Sequence, residues 1–167
     1  MFHNDAQSTS PREGPHNLKQ LVGWQEWVSL PQLGLQNIKA KVDTGARSCC
    51  LHAWNIQFVV QDGTDWVFFE FPQDDGVNSI PVRARLLERR TVRSSSGHEE
   101  LRPVIRTQAK LGSRHWKIDL TLTNREQMGF RMLLGRRALI KNFVVDPSHT
   151  FLASTIHNSS TEDRRQP

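Results

Sequence analysis

The segment Lys39-Ala40-Lys41-Val42-Asp43-Thr44-Gly45-Ala46 puts a carboxylate just after an apolar strand and just before a turn that glycine permits. A strand end fixes such a side chain, Gly45 lets backbone approach a substrate or partner with nothing in the way, and the Thr44 hydroxyl is available to lock the loop through hydrogen bonds. Asp43 is therefore the candidate catalytic group, suited to hydrolysis by paired carboxylates, with Thr44, Gly45 and Ala46 as its loop support. Asp, Thr and Gly are all common in surface turns, and a chance Asp-Thr-Gly in such a chain has odds on the order of a few per cent. The tripeptide needs a second element. Phe130-Arg131-Met132-Leu133-Leu134-Gly135-Arg136, late in the chain, supplies one: Leu133, Leu134, Gly135 and Arg136 form an apolar strand end with glycine and arginine leading into a helix.

The elements that must position these groups are mostly strands. Short apolar segments alternate with turn signals such as Pro31-Gln32-Leu33-Gly34, Asp62-Gly63, Asp74-Asp75-Gly76, Ser94-Ser95-Ser96-Gly97 and Leu111-Gly112-Ser113, close to the spacing of an all-β sandwich or barrel. Strands are expected at 21–30, 35–42, 56–60, 66–71, 80–92, 100–111, 115–123, 132–134 and 143–145. Alternation is clearest where Trp116, Ile118, Leu120 and Leu122 share a face. One short helix should begin just after Gly135 and run through Ile140.

A chain of 167 residues is long enough for one ordinary core and too short for two substantial lobes, so a single domain at 20–153 is expected. Residues 1–19 and 154–167, polar and without apolar periodicity, read as disordered tails. The 22 basic against 17 acidic residues give a formal net charge of +5, with the excess concentrated at 83–93 and 102–117. Such a patch attracts anions. A solvated strand face outweighs nucleic-acid binding as its explanation, because no RNA or DNA motif accompanies the charge.

The two cysteines, Cys49 and Cys50, are adjacent, and neighbours in an extended segment point to opposite faces, so a disulfide between them is not expected and a reducing compartment fits. The polar N-terminus lacks the apolar run of a signal peptide, and no stretch of about 18 apolar residues suggests a membrane span. The expectation is a soluble, cytoplasmic protein with no membrane partner.

The blocks beginning Ile38-Lys39-Ala40-Lys41-Val42-Asp43-Thr44-Gly45-Ala46-Arg47-Ser48, then Leu51-His52-Ala53, Leu120-Thr121-Leu122-Thr123-Asn124-Arg125 and Met128 to Arg136 resemble a bacterial family. That family is labelled both "ATP-dependent zinc protease" and retropepsin-like endopeptidase, and some members are linked to the RimK ligase that adds glutamates to ribosomal protein. The resemblance covers residues 21–152 and implies an all-β, single-domain retropepsin-like (acid protease) closed barrel with one short C-terminal helix. It also implies that the late apolar strand crosses behind the catalytic loop as its hydrophobic support, and that an aspartic dyad forms in a homodimer from Asp43 of each copy, because this chain carries one Asp-Thr-Gly. The long hairpin at 80–105, with its tip at Ser94, Ser95, Ser96, Gly97 and His98, is then the candidate flap. Its arginines, Arg83, Arg85, Arg89, Arg90, Arg93 and Arg102, would favour an acidic peptide substrate, and the RimK link points to glutamate-rich ones.

Two positions depart from the pattern. Viral retropepsins carry an acidic residue four positions after the catalytic Asp, paired with the Arg after the late Gly, whereas this chain has Arg47 there and Arg136 in the late motif. Two guanidinium groups repel, so that contact must differ here. Cys49 and Cys50 stand where small hydroxyl residues are expected and read as packing residues.

Two rival functions remain. A zinc hydrolase would draw on Cys49, Cys50, His52, His98, His115 and His149, but there is no His-Glu-x-x-His or Cys-x-x-Cys, and only Cys49 with His52 forms a compact pair, so neither metal nor cofactor is expected. A non-catalytic module on the same barrel would use the basic hairpin to hold an acidic peptide or a nucleic acid.

Overall fold

A computed structural model describes residues 18–94, 96–124 and 129–154. The expected tails fall almost wholly outside those residues, as does Ser95 of the hairpin tip.

The described residues form eleven strands and one short α-helix: β1 (Gln20–Gly23), β2 (Gln25–Leu30), β3 (Leu35–Asp43), β4 (Cys49–His52), β5 (Trp54–Gln61), β6 (Thr64–Pro72), β7 (Ser79–Arg93), β8 (Glu99–Leu111), β9 (Arg114–Thr123), β10 (Met132–Gly135), α1 (Arg136–Leu139) and β11 (Phe143–Asp146). A single 3-10 turn, Pro31–Leu33, occupies the turn expected between β2 and β3. Six strands in the order β2-β3-β10-β4-β9-β8 close into a mixed barrel, sealed where Ser29 of β2 pairs with Lys110 of β8. From β8 the sheet continues through β7, β6 and β5 as an antiparallel wing.

Burial explains which residues form which strands. In β6, Val67, Phe69 and Phe71 are buried while the residues between them are not, the period-2 pattern of a sheet covered on one face. These side chains join Leu30, Leu51, Ile105, Leu120, Leu122 and Leu134 in one contiguous core, so wing and barrel share an interior. Strands β4 and β10 are different: all eight of their residues are buried. A strand covered on both faces loses its alternation and reads as an unbroken apolar run.

The structure departs from the sequence reading in two elements. The strand expected over 21–30 is two strands, because the chain turns at Trp24, whose N–H donates to the His149 carbonyl (2.9 Å) while its own carbonyl accepts from Val42 N–H (2.8 Å). Strand β4 was not expected at all, since Cys-Cys-Leu-His has neither alternation nor β-branched residues.

Both ends of the described residues are held against this body. Strand β1 pairs in parallel with β11 of the same chain, Gln20 opposite Phe143 and Gly23 opposite Asp146. The fully buried Glu26 carboxylate gathers the last described segment: Oε1 accepts from the N–H groups of Gly23 (2.8 Å), Leu152 (2.8 Å) and Ala153 (3.2 Å), and Oε2 accepts from the Ser154 hydroxyl. Ser154, expected in the tail, is thus buried and bonded.

Candidate active site

Asp43 ends β3, opposite Gly135 at the end of β10, and these two strands run parallel. β10 in turn pairs antiparallel with β4, Met132 opposite Leu51 and Leu133 opposite Cys50. β10 therefore lies between β3 and β4, and the loop from Asp43 to Ser48 must cross over its end. Gly135 is where the crossing is closest: a Cβ there would sit 2.4 Å from the carbonyl carbon and oxygen of Ser48 and 2.8 Å from its nitrogen. The glycine is required by the approach of two backbones.

The loop is then tied down on both sides. Asp43 Oδ1 accepts hydrogen bonds from the N–H groups of Gly45 and Ala46, each at 3.1 Å. The start of α1 holds the loop from below, Arg136 N–H donating to the Ala46 carbonyl (2.7 Å) and Arg137 N–H to the Arg47 carbonyl (3.2 Å). Gly135 N–H donates to Cys49 Sγ (3.4 Å). The carboxylate is therefore fixed by backbone through one oxygen, while Oδ2 faces only Lys41 Nζ, 3.9 Å away across a part-exposed ion pair.

The sequence-predicted residues are distributed as follows. Leu133 and Leu134 are buried beneath the loop, Gly135 is buried at the crossing, and Arg136 is exposed. Thr44 takes part through its carbonyl, which accepts from Arg136 Nη1 at 3.0 Å. That bond answers the problem posed by Arg47: the Arg136 guanidinium turns to backbone of its own loop, and Arg47 is exposed. Ser94, Ser96, Gly97 and His98 form the tip of the β7–β8 hairpin, with Gly97 N–H donating to the Ser94 carbonyl (2.9 Å). The two thiols diverge. Cys49 belongs to the core, where burial pushes its thiol up to about 11, and Cys50 Sγ lies 3.8 Å from Arg102 Nη1. Among the described residues no three His, Cys, Asp or Glu side chains group as a metal site would require.

Asp119, within β9, and Asp146, at the end of β11, are engaged by other partners. Asp119 is held by Arg106 through two bonds of 2.7 and 3.1 Å, and that hydrogen-bonded guanidinium keeps its carboxyl below the usual value. Asp146 accepts from Ser148 N–H (2.8 Å) and from the Ser148 hydroxyl, and lies 2.9 Å from His149 Nδ1. One chain thus presents one backbone-fixed carboxylate at the loop.

Residues 21–155 match the family described as "RimB-like: Retropepsin-like aspartic endopeptidase RimB". The chain belongs to that family. A crystal structure of a Legionella pneumophila protein of unknown function (DUF785) superposes with a TM-score of 0.68 at 32% identity, covering 81% of this chain and 98% of that one. The RimB-like domain also recurs inside longer proteins. It is 44% identical over 132 residues to a "Probable alpha-L-glutamate ligase" of Desulfotalea psychrophila, covering 78% of this chain and 28% of the relative. A protein of the same description from Parasynechococcus marenigrum is 44% identical over 151 residues, covering 89% and 32%. The chain therefore spans about a third of the length of these curated relatives.

Sequence reasoning missed three features of the site's surroundings. The Cys49 contact with Gly135 and the Glu26 clasp join residues far apart in the chain and leave no local spacing to read. The third is a cavity of about 400 Å³ beside the loop, lined by Ser48 and Cys49 on one side and by Arg90, Arg106, Lys117 and Arg137 on the others. Each of those cations looks like an ordinary exposed strand or helix residue in sequence.

Proposed function

We propose that the chain is one half of an aspartic endopeptidase, in which Asp43 from each of two copies forms the catalytic pair. The observation that carries this reading is the Asp43 carboxylate at a strand end, held through Oδ1 by Gly45 and Ala46 N–H while Oδ2 lies 3.9 Å from Lys41 Nζ. Two such groups brought together by a two-fold axis cannot both ionise cheaply, so they share one proton. The ionised carboxylate takes a proton from water as its oxygen attacks the scissile carbonyl carbon. The protonated one gives its proton to the carbonyl oxygen, and the resulting diol collapses as the C–N bond breaks and the amine nitrogen takes up a proton. In this reading Gly45 admits the substrate backbone, Gly135 and Arg136 keep the loop in register, and the β7–β8 hairpin closes over the peptide.

The substrate class proposed is an acidic, glutamate-rich peptide. The net charge of +5 supports it, as does the fusion of this domain in relatives described as glutamate ligases. Buried free thiols fit the reducing cytoplasm as the place of action. A non-catalytic peptide-binding module is the second reading, favoured by Arg47 standing where the viral pattern has an acidic residue.

The deciding experiment measures oligomeric state by light-scattering chromatography for wild type and Asp43→Asn, with peptide-library cleavage in chelator on the same fractions. Cleavage by a chelator-resistant dimer, absent in Asp43→Asn, is the expected result. A stable monomer that cleaves nothing would turn the reading to the binding module, and cleavage lost in chelator would turn it to metal chemistry.

A further inference from the structure

The basic load of the β7–β8 hairpin is largely engaged. Arg93 pairs with Glu99 at 2.7 Å, Arg102 with Glu100 at 2.8 Å, and Arg90 with Glu88. Arg83 lies over the Trp66 ring at 3.8 Å and Arg89 over Phe58 at 4.0 Å. A cation whose field is met by its own chain is a weak reader of a substrate's charge.

The cavity beside the catalytic loop is different. Four cations, Arg90, Arg106, Lys117 and Arg137, line it together with one carboxylate, Asp119. Arg106 is bound to that carboxylate and Arg90 to Glu88 outside the lining, while Lys117 and Arg137 sit at the wall with no acidic partner within ion-pair distance among the described residues. Asp119 shows what the pocket prefers: its carboxyl is held below the usual value by the Arg106 bond, with Arg90 and Arg137 adding to the field. We infer that this pocket is an anion-binding subsite that takes a carboxylate side chain of the peptide lying across Asp43.

The position fits a substrate subsite. Ser48, on the pocket wall, follows Asp43 by five residues, so the pocket begins within roughly 17 Å of the carboxylate along even a fully extended chain. An extended peptide advances about 3.3 Å per residue, so a side chain within about five residues of the scissile bond reaches it. Arg137 is bound through its N–H to the Arg47 carbonyl (3.2 Å), which ties one of the free cations to the loop that carries Asp43. A pocket built this way reads acid along the substrate and holds the reading in register with the catalytic group.

The inference rests on the proposed peptidase reading but is tested apart from it, by binding to the Asp43→Asn chain, which would leave peptide intact. The probe is a fluorescent peptide with a run of glutamates, acetylated and amidated so that only side-chain carboxylates remain, followed by anisotropy. Lys117→Gln with Arg137→Gln should weaken binding about tenfold or more, Asp119→Asn should tighten it several-fold by freeing Arg106, and Lys110→Gln should leave it unchanged. The matched glutamine peptide should bind far more weakly. Equal affinity of the double variant and its parent, equal binding of the glutamine peptide, or displacement by single-stranded RNA below the peptide's own dissociation constant would each overturn the subsite. Failure of binding alongside Asp43-dependent cleavage by wild type would remove the subsite and leave the peptidase, whereas binding without cleavage would do the reverse.

Discussion

Gly135→Ala is the sharpest probe of how the Asp43 loop is held. The added methyl would stand 2.4 Å from the Ser48 carbonyl, against about 3.4 Å for ordinary contact, so the loop and the end of β10 must separate by about 1 Å. The obstacle is backbone, not the end of a flexible side chain, and the N–H bonds from Arg136 and Arg137 to the loop carbonyls oppose the movement. Overpacking at such a site costs about 2–3 kcal/mol, which for a domain of this size lowers the melting temperature by roughly 4–12 °C. A displacement of about 1 Å at a positioned catalytic group costs on the order of 100-fold in rate. Gly129→Ala is the internal control, because a Cβ there meets nothing within 4 Å. Calorimetric melting and cleavage rates for both variants give the comparison. A Gly135→Ala protein that melts and cleaves like wild type, or a Gly129→Ala protein equally damaged, would refute the claim that the loop's register depends on this crossing.

Two further outcomes are expected. Glu26→Ala leaves the buried N–H of Gly23 and the part-buried N–H groups of Leu152 and Ala153 without their acceptor, and at about 1–3 kcal/mol for a buried partner and less for the rehydrated ones, urea melts should show a loss of about 2–4 kcal/mol; a loss under about 1 kcal/mol would mean that the clasp is not holding residues 152–154. For Asp119, Arg106 keeps the folded carboxyl below its ordinary value of 3.8, so its stabilising contribution is present above that range and is lost as pH falls through the folded value. The melting temperature of wild type should therefore fall faster below about pH 4 than that of Asp119→Asn, and parallel curves would remove Arg106 as the cause.

The sequence made the site's chemistry legible and much of its support obscure. Asp43, Gly45 and the Leu-Leu-Gly-Arg run are local signals: a carboxylate at a strand end, a glycine, an apolar strand entering a helix. The long hairpins are legible for the same reason, since Trp116 to Leu122 alternates and Gly112 closes its turn with a positive φ of 56°. β4 is illegible because burial on both faces erases the alternation that marks a strand. Glu26 reads as a routine exposed acid, and only the return of residues 151–154 from the far end of the chain makes it a buried acceptor. The Arg90, Arg106, Lys117 and Arg137 pocket is of the same kind, assembled from three strands and a helix with no spacing in common.

In the proposed dimer these features bear on how a half-site can be ready before its partner arrives. The Asp43 loop is bonded by its own Gly45 and Ala46 N–H groups, by the N–H groups of Arg136 and Arg137, and by the Arg136 guanidinium on the Thr44 carbonyl. The arginine that the viral pattern spends on an acidic residue near the catalytic loop is used here on loop backbone, and the terminal strands β1 and β11 already satisfy one another. In the proposed dimer a second copy supplies its carboxylate, and the loop of the first keeps these bonds. Assembly on those terms would cost little reorganisation of the loop. On the proposed dyad, cleavage per chain should fall on dilution below the dimer's dissociation constant, and a rate per chain independent of dilution would count against it.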